Sequence, residues 1–321
     1  MKILGKEIKP GDSKVIEVEV AKLHTRDNLH IPIIIERAKK NGPTLLLIGG
    51  IHGDEVNGVA IIREIIKTGS NKPTHGTVIC IPVFNIFGYL HQTREFPDGR
   101  DLNRVFPGSP KGSLASQFAH QFVTEIAPLV DYVIDFHSGS VDRDNIPHVR
   151  CVISEEKSFE FAKAFGAPFI VHSKYIGKSI RETLFKMGKT TLLFEGGKSK
   201  NIDNAVLQSG VQGAKNIMAY LGMNEYNYIA ESNTIVVKKS SWLRAKHSGM
   251  LHLKINNGAF VKKKEVLGYI IDPYGDFEKK VKAPHSGYII CTNRTAIVNR
   301  GDALFHISSE DYILDAPLWP A

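Results

Sequence analysis

Two hydrophobic spacings alternate along the first two thirds of the chain. KVIEVEVAKL (from Lys14) alternates apolar and polar positions, as a half-buried strand does, and HIPIIIERA follows as a second strand. PTLLLIGGI is apolar on every position until its glycines, which predicts a strand buried on both faces. In EVNGVAIIREIIK the apolar residues Val56, Val59, Ile62 and Ile66 recur at helical spacing. GTVICIPVFN, VDYVIDFHSG and TTLLFEGG predict further strands. SLASQFAHQFVTEIA predicts a helix with Ser113 as N-cap; SFEFAKAFG and SIRETLFKMG are helices closed by glycine. DNAVLQSGVQGAKNIMAYLG is a helix capped by Asp203 or Asn204. Strands alternating with helices make this an α/β layer: a largely parallel or mixed sheet flanked by helices.

After about residue 225 the helical period fades, and short strands and turns take over (NTIVVKK, GMLHLKI, EVLGYII, SGYIICT, DALFHIS). HSGMLHLKINNGAFVKKKEVLGYI is echoed by HSGYIICTNRTAIVNRGDALFHI, so two similar halves are expected to fold into one β-rich unit. The pattern resembles the biotinyl/lipoyl-type barrel-sandwich fold. It offers INNG where a modifiable lysine would sit at a hairpin tip, so the unit reads as a structural or gating module. The expected division is a 1–225 catalytic domain and a 226–321 β-rich capping domain. Tyr274, in the DPYGD turn between the half-repeats, is the cap's candidate substrate contact; a tyrosine packed on its own turn is the alternative.

Composition changes this picture little. A chain of 321 residues, 42% apolar and 23% charged, can fill sizeable cores. The net charge of +8 fits a solvated basic surface or attraction for anionic substrates. Lys and Arg are spread along the chain with no basic block interleaved with aromatics, which argues against nucleic acid as partner. Cys80, Cys151 and Cys291 are far apart and form no CxxC pair, which fits a reducing cytoplasm. MKILGKEIKPGDSK lacks the apolar core of a signal peptide, and no run approaches the ~18 apolar residues of a membrane span.

Three apolar runs end on potential ligands or proton carriers: His52, His137 and Glu195. Sites in α/β sheets lie beyond the carboxyl ends of strands, so these could converge. His52 and Glu55 stand three apart at a strand-to-helix turn, and imidazole and carboxylate both suit Zn²⁺. HxxE alone is a weak signal. With His137 it becomes a two-histidine, one-carboxylate set with room for a water. Glu195 at the end of LLFEGG could take that water's proton, burial raising its pKa. Between these lies TREFPDGRDLNRVFPG, where Arg94, Arg100 and Arg104 surround Asp98, Asp101 and Asn103; such a loop suits a carboxylate ligand.

GGIHGDEVNG, DGRDLNRVFPG, DFHSG and FEGG, in this order, resemble the succinylglutamate desuccinylase/aspartoacylase family of the zinc carboxypeptidase superfamily, over roughly residues 40–300. The resemblance implies a zinc-carboxypeptidase-like mixed sheet and one Zn²⁺ per chain on His52, Glu55 and His137. It puts the general base on Glu195 and the substrate-carboxylate contacts on Asn103 and Arg104. Arg94 best matches the family's carbonyl-polarising arginine, with Arg100 the other candidate. Asp101 matches an acid that hydrogen-bonds a zinc-bound histidine, here the other nitrogen of His52. The implied activity is a zinc-dependent amidohydrolase cleaving an N-acyl amino acid or related small amide. A metallocarboxypeptidase acting on peptides and a non-catalytic binding protein are the alternatives. The expected partner is a small-molecule N-acyl substrate, with no nucleic acid and no membrane; a homo-oligomer stays open.

Overall fold

The structure is a computed structural model and describes residues 1–22, 26, 28–226 and 233–314. The chain begins with β1 (Lys2–Ile3), β2 (Lys6–Glu7), β3 (Ser13–Lys22), β4 (Asn28–Arg37), β5 (Lys40–Gly49), α1 (Val56–Lys67), β6 (His75–Ile81) and α2 (Ile86–His91). It continues through α3 (Leu114–Glu125), β7 (Tyr132–Gly139), β8 (Arg143–Cys151), α4 (Glu156–Phe165), β9 (Phe169–His172), α5 (Ile180–Lys186), β10 (Thr190–Lys198) and α6 (Asn204–Tyr220). From residue 233 the regular elements described are all strands: β11 (Thr234–Arg244), β12 (Gly249–Leu253), β13 (Phe260–Val261), β14 (Val266–Ile271), β15 (Glu278–Lys282), β16 (Gly287–Asn293), β17 (Ile297–Val298) and β18 (Ala303–Leu314).

The central sheet has 12 strands in the order β13-β16-β18-β11-β9-β8-β10-β7-β5-β6-β4-β3. Its middle strands β6, β5, β7 and β10 are mutually parallel, with antiparallel strands on either side. Both faces are buried. Along β5, Leu45 and Leu47 enter one core with α1, α4 and α6, while Leu46 and Ile48 enter the other with α3 and α5. That is why PTLLLIG shows no alternation. Ser113 and Asp203 cap α3 and α6 with their side chains, as expected.

The buried face of α1 is turned by about one residue from the expected one. Asn57, Gly58, Ile61, Ile62 and Ile65 are buried, while Val56, Val59 and Ile66 are only half-buried. The reason is Gly58: a Cβ there would lie 2.5 Å from the carbonyl oxygen of Phe136, so only glycine lets α1 press onto β7. This contact brings Glu55, just before α1, beside His137, just after Phe136.

The sequence echo is visible as two sets of three strands. β12, β13 and β14 correspond to β16, β17 and β18, and the first strand of each set pairs with the second strand of the other. Of these, β13, β16 and β18 are bonded into the central sheet, while β12, β14 and β17 form a separate four-stranded sheet with β15. The first half of β8 pairs with β16 and its second half with β9. β8 was not among the strands expected from the sequence, because RDNIPHVRC carries charges and a proline. It also carries an extra residue. From Asn145 to His148 it spends three residues where β10 spends two, a bulge around Ile146 and Pro147.

Among the described residues no helix is long and apolar enough to cross a membrane. Cys80, Cys151 and Cys291 are buried free thiols.

Candidate active site

Three chain segments meet at the carboxyl ends of the parallel strands. His52 and Glu55 lie in the turn between β5 and α1, His137 lies near the end of β7, and Glu195 is its register partner on β10. His52, Glu55 and His137 are 3%, 2% and 3% exposed, and their ligand atoms lie within 4.8 Å of one another. A Cβ on Gly53 would fall 1.8 Å from Gly88 carbon, so this turn needs glycine.

Each imidazole has one nitrogen anchored by a carboxylate. His52 Nε2 donates to Asp101 Oδ1 at 3.2 Å, and His137 Nε2 donates to Asp135 Oδ2 at 2.8 Å. Ionised carboxylates only accept, so the proton sits on Nε2 in both rings. Each Nδ1 then faces Glu55, at 2.8 Å for His52 and 2.9 Å for His137. An imidazole nitrogen and a carboxylate oxygen that close need a cation between them or a proton on the nitrogen. Protonation follows the same logic. Burial would lower both histidines, but carboxylates outweigh it and raise them, His137 well above its ordinary value through Asp135 and Glu55. Burial would likewise raise Glu55, but the two imidazoles hold it well below the usual range. The donor set could hold a metal ion: two imidazole Nδ1 atoms and a carboxylate, with carboxylates behind both rings. Glu55 also accepts hydrogen bonds from the Ser138 amide (3.1 Å), the Ser140 hydroxyl (3.1 Å) and Arg94 (3.2 Å).

Glu195 faces the same space. Asn145 donates to its Oε2 at 3.0 Å, and Arg150 Nε is 3.6 Å from its Oε1. Burial raises its carboxyl, with Arg150 only partly opposing.

The arginines of the loop separate clearly. Arg94 reaches into the site, holding Asp101 at 2.9 Å and Ser140 at 2.8 Å. Arg100 points away; its side chain is 54% exposed and pairs with Asp98 at 3.5 Å. Arg104 lines the site and forms no salt bridge among the described residues; its Nη1 donates to the Asn103 carbonyl at 2.7 Å. Asn103 is buried and its Oδ1 accepts from the Ile180 amide at 2.9 Å, which turns its NH₂ toward the cavity it lines.

Tyr274 corrects an expectation. It is 86% exposed on the turn between β14 and β15 and is absent from the cavity lining. Asp272 Oδ1 accepts from the amides of Gly275 and Phe277 and holds that turn together. Asp54, between the two ligand candidates of this turn, is buried with Oδ1 unpartnered.

The cavity measures about 230 Å³. Larger grooves of about 630 and 680 Å³ exist, and neither contains the two histidines. One wall comes from residues that sequence reasoning missed. Asn145 on β8 pairs with Cys291 on β16, Cys291 with His306 on β18, and His306 with Trp242 on β11. Side chains in such a row share one face, and all four residues line the cavity. Trp242 stacks on His306 (4.8 Å, 11°), and the Arg143 guanidinium lies 5.1 Å from the Trp242 ring centre. Burial, then Arg150 and Arg143, push His306 down to about 3, so it is neutral at neutral pH. No local motif marks this row, because it is assembled across four strands. Asp135 was findable: two residues before His137 on one strand is the same face.

The succinylglutamate desuccinylase/aspartoacylase catalytic-domain model matches residues 41–221. The N-alpha-acetyl-L-2,4-diaminobutyric acid deacetylase of Halomonas elongata is 28% identical over 291 residues, covering 85% of this chain and 84% of that protein. Among solved structures, the product-bound ectoine utilization protein EutE of Ruegeria pomeroyi superposes with a TM-score of 0.83 at 23% identity, over 95% of this chain and 97% of that one. A succinylglutamate desuccinylase/aspartoacylase from Rhodobacter sphaeroides does so with 0.80 at 24% identity, over 94% and 96%.

Proposed function

The chain belongs to the succinylglutamate desuccinylase/aspartoacylase family, and from that premise we propose that it is a zinc-dependent amidohydrolase that cleaves an N-acyl amino acid or related small amide into a carboxylate and a free amine. The observation that carries this reading is the convergence of His52 Nδ1, His137 Nδ1 and the Glu55 carboxylate beside a second, separate carboxylate, Glu195. A metal site that only stabilised the fold would be closed by four protein ligands and would need no base. A binding protein that had lost catalysis would have no use for Glu195.

A zinc ion held by His52, Glu55 and His137 would supply Lewis-acid activation of water and polarisation of the amide carbonyl. Glu195 takes a proton from the attacking water and gives it to the departing amine nitrogen, so its carboxylate is regenerated when the C–N bond breaks. Asn145 and Arg150 orient it. Arg94 Nη1, between Glu55 and Ser140, is placed to stabilise charge developing on the carbonyl oxygen. Arg104 and the Asn103 NH₂ receive the substrate carboxylate. The cavity of about 230 Å³ suits a small amide better than a peptide chain, which favours this reading over a carboxypeptidase. The capping role proposed for 226–321, a barrel-sandwich-like unit, rests on Trp242, Cys291 and His306 lining the cavity rather than on Tyr274.

Arg104→Lys tests the substrate half of the proposal. Lysine keeps the charge and loses the planar fork. For a carboxylate-bearing substrate, kcat/KM should fall about tenfold to a hundredfold, mostly through KM. For the same substrate with that carboxylate converted to a carboxamide, most of the penalty should vanish. An equal penalty on both would make Arg104 a scaffold residue and remove the support for N-acyl amino acids.

A further inference from the structure

We propose that the groove between β15 and the end of β11 is a docking site for an extended acidic segment of a partner protein, which joins β15 as an added strand. This goes beyond the deacylase reading and does not depend on it, since the groove and the catalytic cavity share no lining residue.

An unpaired strand edge is the first observation. β12, β14, β15 and β17 form a four-stranded sheet with β15 at one end. Just before β15, the Phe277 carbonyl accepts from the Asp272 amide; just after it, the Ala283 amide donates to the Glu265 carbonyl. Residues of an antiparallel strand bond alternately to the neighbour and away from it, so Lys279 and Val281 also bond toward β14. The amides and carbonyls of Glu278, Lys280 and Lys282 point the other way, where no described strand lies. On the opposite bank, β9 pairs with β11 only from Ile235 to Val237. Leu243 and Arg244 therefore pair only with β18 among the described strands. The two banks close at one end, where Ser241 Oγ lies 3.4 Å from His285 Nε2.

Charge is the second. Arg244, Lys246 and His247 line one bank of a groove of about 360 Å³, and Lys279, Lys280 and Lys282 line the other. No acidic residue is among the described lining, and none of these six forms a salt bridge with a described residue. Neither cluster stands out in the sequence, but the fold sets them side by side. Like charges gathered at one concavity repel one another, and an anionic occupant removes that repulsion.

The floor is the third. Leu243, Ile270 and Val281 line the bottom of the groove and belong to the apolar core of the β-rich unit or pack on it. An occupant must therefore bring apolar groups as well as negative charge. An extended segment with alternating acidic and apolar residues supplies both, and its main chain meets the free edge of β15. A nucleic acid would satisfy the cations and leave the edge amides unused. Lysines on an edge strand repel basic strands and discourage apolar ones, so they select an acidic strand.

The test titrates the full chain into fluorescein-labelled EVEVEV amide and follows fluorescence anisotropy. The scrambled peptide EEEVVV has the same charge and composition, and should bind about tenfold more weakly because its apolar and acidic residues no longer alternate. Of the two forms of EVEVEV methylated on alternate amide nitrogens, at least one should lose binding, because the methyl groups block one hydrogen-bonding edge. Lys280→Glu with Lys282→Glu should weaken EVEVEV by about tenfold, as expected for two exposed charge pairs each reversed, with an unchanged circular dichroism spectrum. Equal binding of EVEVEV and EEEVVV, or full binding by both methylated forms, would reduce the site to a charged surface and overturn strand addition. Affinity that survives the double charge reversal would place the peptide elsewhere. A single-stranded oligothymidylate that binds more tightly and displaces the peptide would overturn the protein partner in favour of nucleic acid. Self-association that the double variant abolishes, without peptide binding, would overturn it in favour of a second copy of this chain.

Discussion

Glu195→Gln is expected to retain zinc and lose most turnover, by about 10²- to 10⁴-fold in kcat, the usual weight of a general base. The amide is nearly isosteric with the carboxylate and still accepts from Asn145, so the fold and the ligand set across β7 and β10 should persist. What it cannot do is accept the water's proton. A pH signature goes with this. The base works only when ionised, so wild-type kcat/KM should fall as the pH drops through the Glu195 pKa. Burial lifts that pKa above the ordinary glutamate value, which places the fall on the neutral side of the usual carboxylate range. The fall should be missing from the variant's residual activity. A variant with near-normal kcat would remove Glu195 from the mechanism.

His52→Ala should abolish both metal and activity. The side chain contributes one of three converging donors, and Asp101 behind it exists to orient that ring. Losing a hydrogen-bond partner behind a ligand already costs about 10- to 100-fold in affinity or activity. Losing the ligand costs more, so the purified variant should carry far less than one zinc per chain. Arg94 keeps Asp101 through two hydrogen bonds, so the DLNR loop should stay in place and circular dichroism should be unchanged. Zinc content equal to wild type would mean that the metal, if bound, sits elsewhere.

Much of this site could be read from the chain because its parts are local. His52, His137 and Glu195 each close an apolar run, and an apolar run buried on both faces is a strong strand signal even without alternation. Arg94 and Arg100 could not be told apart in the sequence. Only the pairing of Arg94 with Asp101 and Glu55, against the solvent-facing pairing of Arg100 with Asp98, separates them. The far wall was hidden for a different reason. Trp242, Cys291 and His306 owe their place to register across long-range strand pairs, and β8 was masked by its polar residues and its bulge. Tyr274 shows the converse error: a polar aromatic in a turn looks like a contact, but a turn bonded to its own aspartate faces solvent.

The central claim is that this chain hydrolyses a small amide with a metal held by His52, Glu55 and His137. The most direct test is release of free amine from a panel of N-acyl amino acids and short peptides, measured on protein loaded with zinc, stripped by a chelator, and reloaded. The account predicts amine release from at least one N-acyl amino acid, loss on stripping, and recovery at one zinc per chain. Activity that persists in stripped protein, or zinc-loaded protein that binds these amides and cleaves none, would contradict it.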